Sequence, residues 1–341
     1  MYEKYTVEER CRKILEDNGG VIADKARTIL LEDPALKSLQ APLEFLSKNW
    51  RDPLTPALMS LSCEAVGGRP ERTYNAALAM SLMNLSVYLW DDIIDKASLK
   101  SFKPTLFGKF GEGTALIVGG LATAKAFSLL IQMEEDKAKL QTLTKMFWNL
   151  WTKVAQAETL DHKLRTQKKL TSQNKLWKIT TEAADLETCL RIGATIGNGS
   201  EKEIIHLGRY GLYFGIILEL RKDFQVSVNL TLELAEKIRT GALPYFLLLA
   251  REQSEKIQKK LDAMFSKNTF KQRDIKELVE AMLENKSLDI AVRTIKSFTK
   301  KGREELTGLK KNDATQALRL FIEEQPLMFV RSLPGFKASQ S

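Results

Sequence analysis

The chain has 341 residues, of which 44% are hydrophobic and 28% charged, with a formal net charge of +9. That balance excludes a disordered chain and leaves enough apolar side chain for a large core. The charge suits an anionic ligand, and no arginine-rich tail or basic–aromatic repeat points to nucleic acid.

From the N-terminus, Met1-Tyr2-Glu3-Lys4 is charged and lacks the apolar core of a signal segment. Apolar residues then recur at three- and four-residue spacing from Ala57 to Leu89, Leu116 to Ile131, Leu140 to Ala155, Ala183 to Ile196 and Ile204 to Phe224. This is helical periodicity, and no stretch alternates long enough to predict a strand. Breakers are expected at Gly19-Gly20, Asp52-Pro53, Gly67-Gly68-Arg69-Pro70, Lys103-Pro104, Gly111 to Gly113, Gly197 to Gly199, Gly241 and Pro244. Leu78 to Leu89 and Tyr210 to Leu220 are apolar nearly all round, as the inner helices of a bundle are. After Arg251 the pattern turns amphipathic and charged, so 251–330 reads as peripheral helices. The expected fold is all-α, one domain over 1–341. No apolar run is expected to span a membrane. Cys11, Cys63 and Cys189 are scattered, which fits a reducing, cytoplasmic setting. His162 and His206 are the only histidines, so a histidine-rich zinc site is excluded.

The chemistry concentrates at Asp91, Asp92 and Asp95, set in the apolar flanks Ser86-Val87-Tyr88-Leu89-Trp90 and Ile93-Ile94. On a helix, Asp91 and Asp95 stack one turn apart and point into the same space, with Asp92 at its edge. Three carboxylates this close repel one another unless cations lie between them, and Mg²⁺ takes a few carboxylates together with phosphate oxygens. The motif therefore reads as a platform for a Mg²⁺-bound diphosphate.

The same residues resemble the trans-isoprenyl diphosphate synthases (polyprenyl synthetases). Pro56 to Gly68 is similar to the family's helix before its first aspartate motif, and Asp91 to Asp95 matches that motif. Lys103-Pro104-Thr105 with Phe107 to Gly111, Leu190 to Ala194, Tyr210-Gly211-Leu212 and Gly241 to Pro244 resemble later family segments. The resemblance implies a helical bundle around a deep apolar cavity, usually dimeric. It also implies an enzyme that ionises an allylic prenyl diphosphate with Mg²⁺ and joins the cation to isopentenyl diphosphate.

By this resemblance, Asp91, Asp92, Asp95, Asp223 and Glu219 are the expected metal ligands. Lys100, Arg51, Lys178, Lys222 and Gln156 are the expected diphosphate contacts. Asp161 stands with Gln156 where the family carries polar residues on a facing helix. Met83, Asn84, Val87 and Tyr88 are expected to line the cavity below the metal. There the small Ser86 and Val87 point to a substrate of about four isoprene units or more, and Tyr88 could block it.

The chain also departs from the family. Where the family grips isopentenyl diphosphate, two basic positions are Asp52 and Thr55, and only Arg51 could compensate. The paired arginines after the motif are Lys100 and Ser101, a family lysine falls on Thr181 with Lys178 one turn back, and the second motif keeps only Asp223 with Glu219. Lys222 stands where a metal-binding aspartate is expected, either replacing part of a missing metal's charge or marking a decayed site. Each lost Lys or Arg removes a charge-assisted hydrogen bond worth roughly 1.5–3 kcal/mol.

Three readings stay open: a divergent synthase or one subunit of a heteromeric one, a terpene synthase-like lyase that needs no isopentenyl diphosphate, and a non-catalytic partner subunit. Trp50, Trp148, Trp151 and Trp177 read as core or interface aromatics, and Gly119-Gly120 as a close helix contact.

Overall fold

The computed structural model describes residues 6–100, 103–166, 169–228, 232–267, 271–284 and 287–331. Ser101 lies outside them. Helices follow one another in chain order: α1 Val7–Thr28, α2 Gln40–Asn49, α3 Leu54–Ala65, α4 Tyr74–Ile94, α5 Leu106–Phe110, α6 Glu112–Ile131, α7 Lys137–Thr166 and α8 Ser172–Glu182. They continue as α9 Ala184–Ile196, α10 Glu201–Val228, α11 Leu232–Thr240, α12 Tyr245–Gln253, α13 Glu255–Lys267, α14 Gln272–Leu283, α15 Ser287–Glu305 and α16 Asp313–Arg331. Among the described residues the only strands are β1 Leu99–Lys100 and β2 Lys103–Pro104, an antiparallel pair of two residues each. The fold is all-α, as the periodicity predicts.

The chain gathers into two compact units, one of 1–151, 185–212 and 303–322, the other of 152–184, 213–302 and 323–341. The stretch 251–330 is divided between the two units.

In the first unit α4 is the central element, packed along α6 and against α3 and α1. Its buried stripe runs Leu78, Leu82, Leu85, Leu89 and Asp92, none more than 2% exposed. These positions repeat at three- and four-residue steps, so an apolar helix face ends on a carboxylate. Ser86 Oγ donates to the Gly119 carbonyl on α6 at 2.9 Å. A Cβ on Gly119 would stand 2.5 Å from Trp90 Nε1. The glycine therefore lets the two helices meet, as expected. Gly120, in contrast, faces open space.

Gly19-Gly20 does not break the chain; both residues lie inside α1. A Cβ at Gly19 would come within 2.2 Å of the Pro53 carbonyl at the start of α3. Close packing, not helix termination, accounts for that pair.

Helix α6 is long and apolar enough to cross a membrane, with mean hydropathy 1.8 over its best window, although Gly, Thr and Lys125 interrupt the run in the sequence. Its outer face, Leu116, Ile117, Gly120, Ala124 and Ile131, is exposed.

In the second unit α12 packs on α8 and α13, and α13 on α11 and α14. Glu252 of α12 accepts from the backbone N–H of Ser172 at 2.7 Å and from its hydroxyl, tying down the start of α8.

Candidate functional site

The first-unit site is built by the way α4 stops. Lys96 has φ 52°, and the N–H groups of Lys96 and Ala97 donate back to the carbonyls of Ile93 (3.1 Å) and Asp92 (2.8 Å). This left-handed cap, a position that favours glycine, turns the chain immediately after Asp95. Thr105 pins the returning loop, with its N–H on the Ser98 carbonyl (3.0 Å) and its hydroxyl on the Ala97 carbonyl (2.7 Å). The β1–β2 pair between them carries Lys100 back over the helix end.

Lys100 Nζ lies 2.9 Å from Asp91 Oδ2, 2.6 Å from Asp92 Oδ1 and 4.8 Å from the centre of the Tyr88 ring. Helical spacing places Asp92 at the edge of the carboxylate face. The structure instead buries it fully, because it continues the core stripe of α4. Neither oxygen of Asp92 has a hydrogen-bond partner, despite the ion pair. Burial pushes its carboxyl up to about 6 against the pull of Lys100, with Asp91 and Asp95 adding to the rise. Burial acts to lower Lys100, but Asp91 and Asp92 outweigh it and hold the ammonium well above the usual lysine range.

The donor set fits a hard divalent cation, since it is all carboxylate oxygen and one member is buried without hydrogen bonds. Among the described residues, however, no three carboxylate, imidazole or thiolate groups are gathered to hold a metal ready-made. The ammonium of Lys100 occupies the gap between the first two aspartates.

The expected cavity residues lie along the same helix. Met83 is buried and its sulfur accepts from Trp151 Nε1 at 3.0 Å, while Trp151 in turn packs on Trp90. Asn84 donates to the Thr55 hydroxyl at 3.1 Å, Val87 is partly buried and Tyr88 is exposed beneath Lys100. Trp148 and Trp177 are exposed.

Arg51, expected on a diphosphate, is instead committed to α1. Its guanidinium makes a two-pronged bond to Glu16 (2.7 and 2.8 Å) and donates to Asp24 at 2.9 Å. Asp52 caps α3 by accepting from the N–H groups of Leu54 (3.0 Å) and Thr55 (3.3 Å) and from the Thr55 hydroxyl (2.6 Å). The replaced positions have acquired a structural use.

In the second unit Lys178, also expected on a diphosphate, meets carboxylates. It is buried, with Glu158 at 3.0 Å, Asp161 at 3.4 Å and Glu182 at 3.5 Å, and Arg165 lies 2.7 Å from Asp161. Burial acts to raise Asp161, yet Lys178, Lys175 and Arg165 hold its carboxyl below the usual range. Glu158 and Glu182 were not anticipated as partners; the i, i+3 spacing of Glu158 and Asp161 is the signal that places both on one face of α7. Gln156 is exposed on another face.

Asp223 is partly buried and accepts from the Tyr245 N–H at 2.7 Å, at the start of α12. Burial pushes its carboxyl up to about 6, opposed by Lys175, Lys237 and the N–H groups of Tyr245 and Phe246. Glu219 lies 3.6 Å from Lys222, whose side chain is largely exposed.

Comparison with known proteins follows from this geometry. The sequence model of the polyprenyl synthetase family matches residues 37–282. A geranylgeranyl diphosphate synthase of Methanosarcina mazei is 26% identical over 75% of this chain and 79% of its own length. A short chain isoprenyl diphosphate synthase of Methanothermobacter thermautotrophicus is 24% identical over 79% and 84%. In three dimensions the chain is similar to the geranylgeranyl pyrophosphate synthetase of Pyrococcus horikoshii, with TM-score 0.81, 22% identity and coverage of 94% and 98%. A polyprenyl synthase of Caulobacter crescentus, complexed with calcium and isoprenyl diphosphate, gives TM-score 0.82 at 18% identity and coverage of 94% and 97%.

Proposed function

The chain belongs to the polyprenyl synthetase family of trans-prenyltransferases, and from that premise we propose that it is a Mg²⁺-dependent enzyme of isoprenoid biosynthesis that ionises an allylic prenyl diphosphate at Asp91, Asp92 and Asp95. It acts as a divergent polyprenyl diphosphate synthase or as one subunit of a heteromeric one. The observation that carries this reading is Asp92, a fully buried carboxylate whose oxygens lack hydrogen bonds beside Asp91 at the end of an apolar helix.

Asp91, Asp92 and Asp95 would hold Mg²⁺, which when bound supplies the positive charge that stabilises the departing diphosphate. Lys100 donates to a diphosphate oxygen as the allylic C–O bond breaks and its electron pair goes to that oxygen. The apolar side chains around the helix end keep water from the carbon. The calcium and isoprenyl diphosphate held by the Caulobacter crescentus protein support this ligand class. The names of the archaeal relatives support a product near geranylgeranyl diphosphate, about four isoprene units.

A second reading is favoured by one feature. Arg51, Asp52 and Thr55 are consumed by α1 and the α3 cap, so the segment that would grip isopentenyl diphosphate offers it no free cation. A terpene synthase-like lyase needs no such grip. For either reading the exposed face of α6, with Ile117 55% and Ile131 80% exposed, suits a homologous chain as partner.

The test is incubation of purified protein with Mg²⁺ and allylic diphosphates of increasing length, with and without labelled isopentenyl diphosphate. Label in a longer product supports transfer, and unlabelled hydrocarbon or alcohol supports the lyase. Turnover that needs a co-purifying homologue supports the heteromer. Wild type indistinguishable from Asp91→Ala in every condition would mean a non-catalytic chain.

A further inference from the structure

The ammonium of Lys100 stands where a cation between Asp91 and Asp92 would stand, 2.9 and 2.6 Å from their oxygens. It is not locked there. Its side chain is 25% exposed, and it sits on a short hairpin outside the helix. It reaches only two of the three aspartates among the contacts described, and Asp92 keeps both oxygens without a hydrogen bond of good geometry. The ammonium donates to Asp91 at 2.9 Å and meets Asp92 by charge, and a stronger charge can displace it from both.

We infer that Lys100 is a tethered counter-ion for the first aspartate motif, which a divalent metal must displace and which the incoming diphosphate draws away. One side chain then serves two partners in turn. Before loading, it neutralises Asp91 and Asp92 and competes with free metal. After loading, the same ammonium, released over Tyr88, donates to the anion that arrived with the metal. Metal and diphosphate consequently assist each other's binding, because each removes Lys100 from the other's path. No covalent bond changes in this exchange. Lys100 is a binding residue here, and the inference rests on the reading of Asp91, Asp92 and Asp95 as the metal-diphosphate site.

The test uses the full chain with Mn²⁺ alone, followed by electron paramagnetic resonance of the free ion, and separately with labelled inorganic diphosphate in equilibrium dialysis at fixed Mn²⁺. Lys100→Gln is expected to bind Mn²⁺ about tenfold more tightly than wild type and to bind diphosphate about tenfold more weakly. These opposite signs are what a structural role cannot give, since a disordered loop weakens both. Lys100→Arg, which keeps the charge, is expected to retain the wild-type pattern. Unchanged or weaker Mn²⁺ binding by Lys100→Gln overturns the inference, as does Lys100→Arg behaving like Lys100→Gln. Asp91→Asn separates the two levels. If it leaves Mn²⁺ binding at the wild-type value, the metal reading itself has failed. If it abolishes binding while Lys100→Gln changes nothing, only the counter-ion has failed.

Discussion

Two acidic clusters in this protein each contain a lysine, and the two lysines are held differently. Lys100 meets Asp91 and Asp92 with its side chain 25% exposed, and Asp92 is left without hydrogen bonds. Lys178 meets Glu158, Asp161 and Glu182 with its side chain 6% exposed, and Arg165 completes the set. The first arrangement is electrostatically strained and open to exchange. The second is enclosed, with three carboxylates around one ammonium. Sequence position alone would rank both as anion-binding lysines; burial and partner number separate them.

The largest expected effect tests that separation directly. Lys178→Met leaves three carboxylates around an empty position and is expected to cost about 3–5 kcal/mol of stability. Lys100→Met leaves the buried Asp92 without its counter-charge, but at a site that water can reach from the Lys100 side, and is expected to cost less, about 1–3 kcal/mol. Urea denaturation of both variants checks this, and equal losses would break the comparison.

Next comes the support beneath the open cluster. Gly119→Ala pushes a methyl into Trp90 and is expected to cost about 1–3 kcal/mol by overpacking. A thermal scan with tryptophan fluorescence reports it, and no shift would mean that α4 and α6 can part without loss.

A smaller loss is expected from Asp52→Ala, about 1 kcal/mol, through the cap of α3. The midpoint of helix melting by circular dichroism measures it. Smallest, and of opposite sign, is Lys96→Gly. Relief of the left-handed conformation at the end of α4 is expected to gain about 1 kcal/mol or less, read as a raised urea midpoint. A loss there would show that the Lys96 side chain supports the Asp91–Lys100 end of the helix.

Much of this was legible in the sequence. The helical periodicity of Leu78 to Leu89 marks α4 as an inner helix, and the run Asp91 to Asp95 marks its carboxylate-bearing end, because period and charge are local signals. That Asp92, not Asp91, is the buried member follows from extending the core stripe by one more step, which the spacing of the aspartates alone does not reveal. Partners distant in sequence were not legible. Arg51 finds Glu16 and Asp24 on a helix 35 and 27 residues earlier, and Lys178 finds Glu158 20 residues back. Such pairings depend on how helices pack, and a motif carries no record of them. Gly19 shows the same limit, since only the approach of Pro53 tells a packing glycine from a breaker.

The capping role of Asp52 has a practical consequence for engineering. Anyone wishing to restore a basic grip by Asp52→Lys would remove the acceptor of the first N–H groups of α3 and the partner of the Thr55 hydroxyl in the same step. A basic residue at this position therefore comes at the cost of the α3 cap. A replacement cap has to be installed first, and the charge can be changed only afterwards.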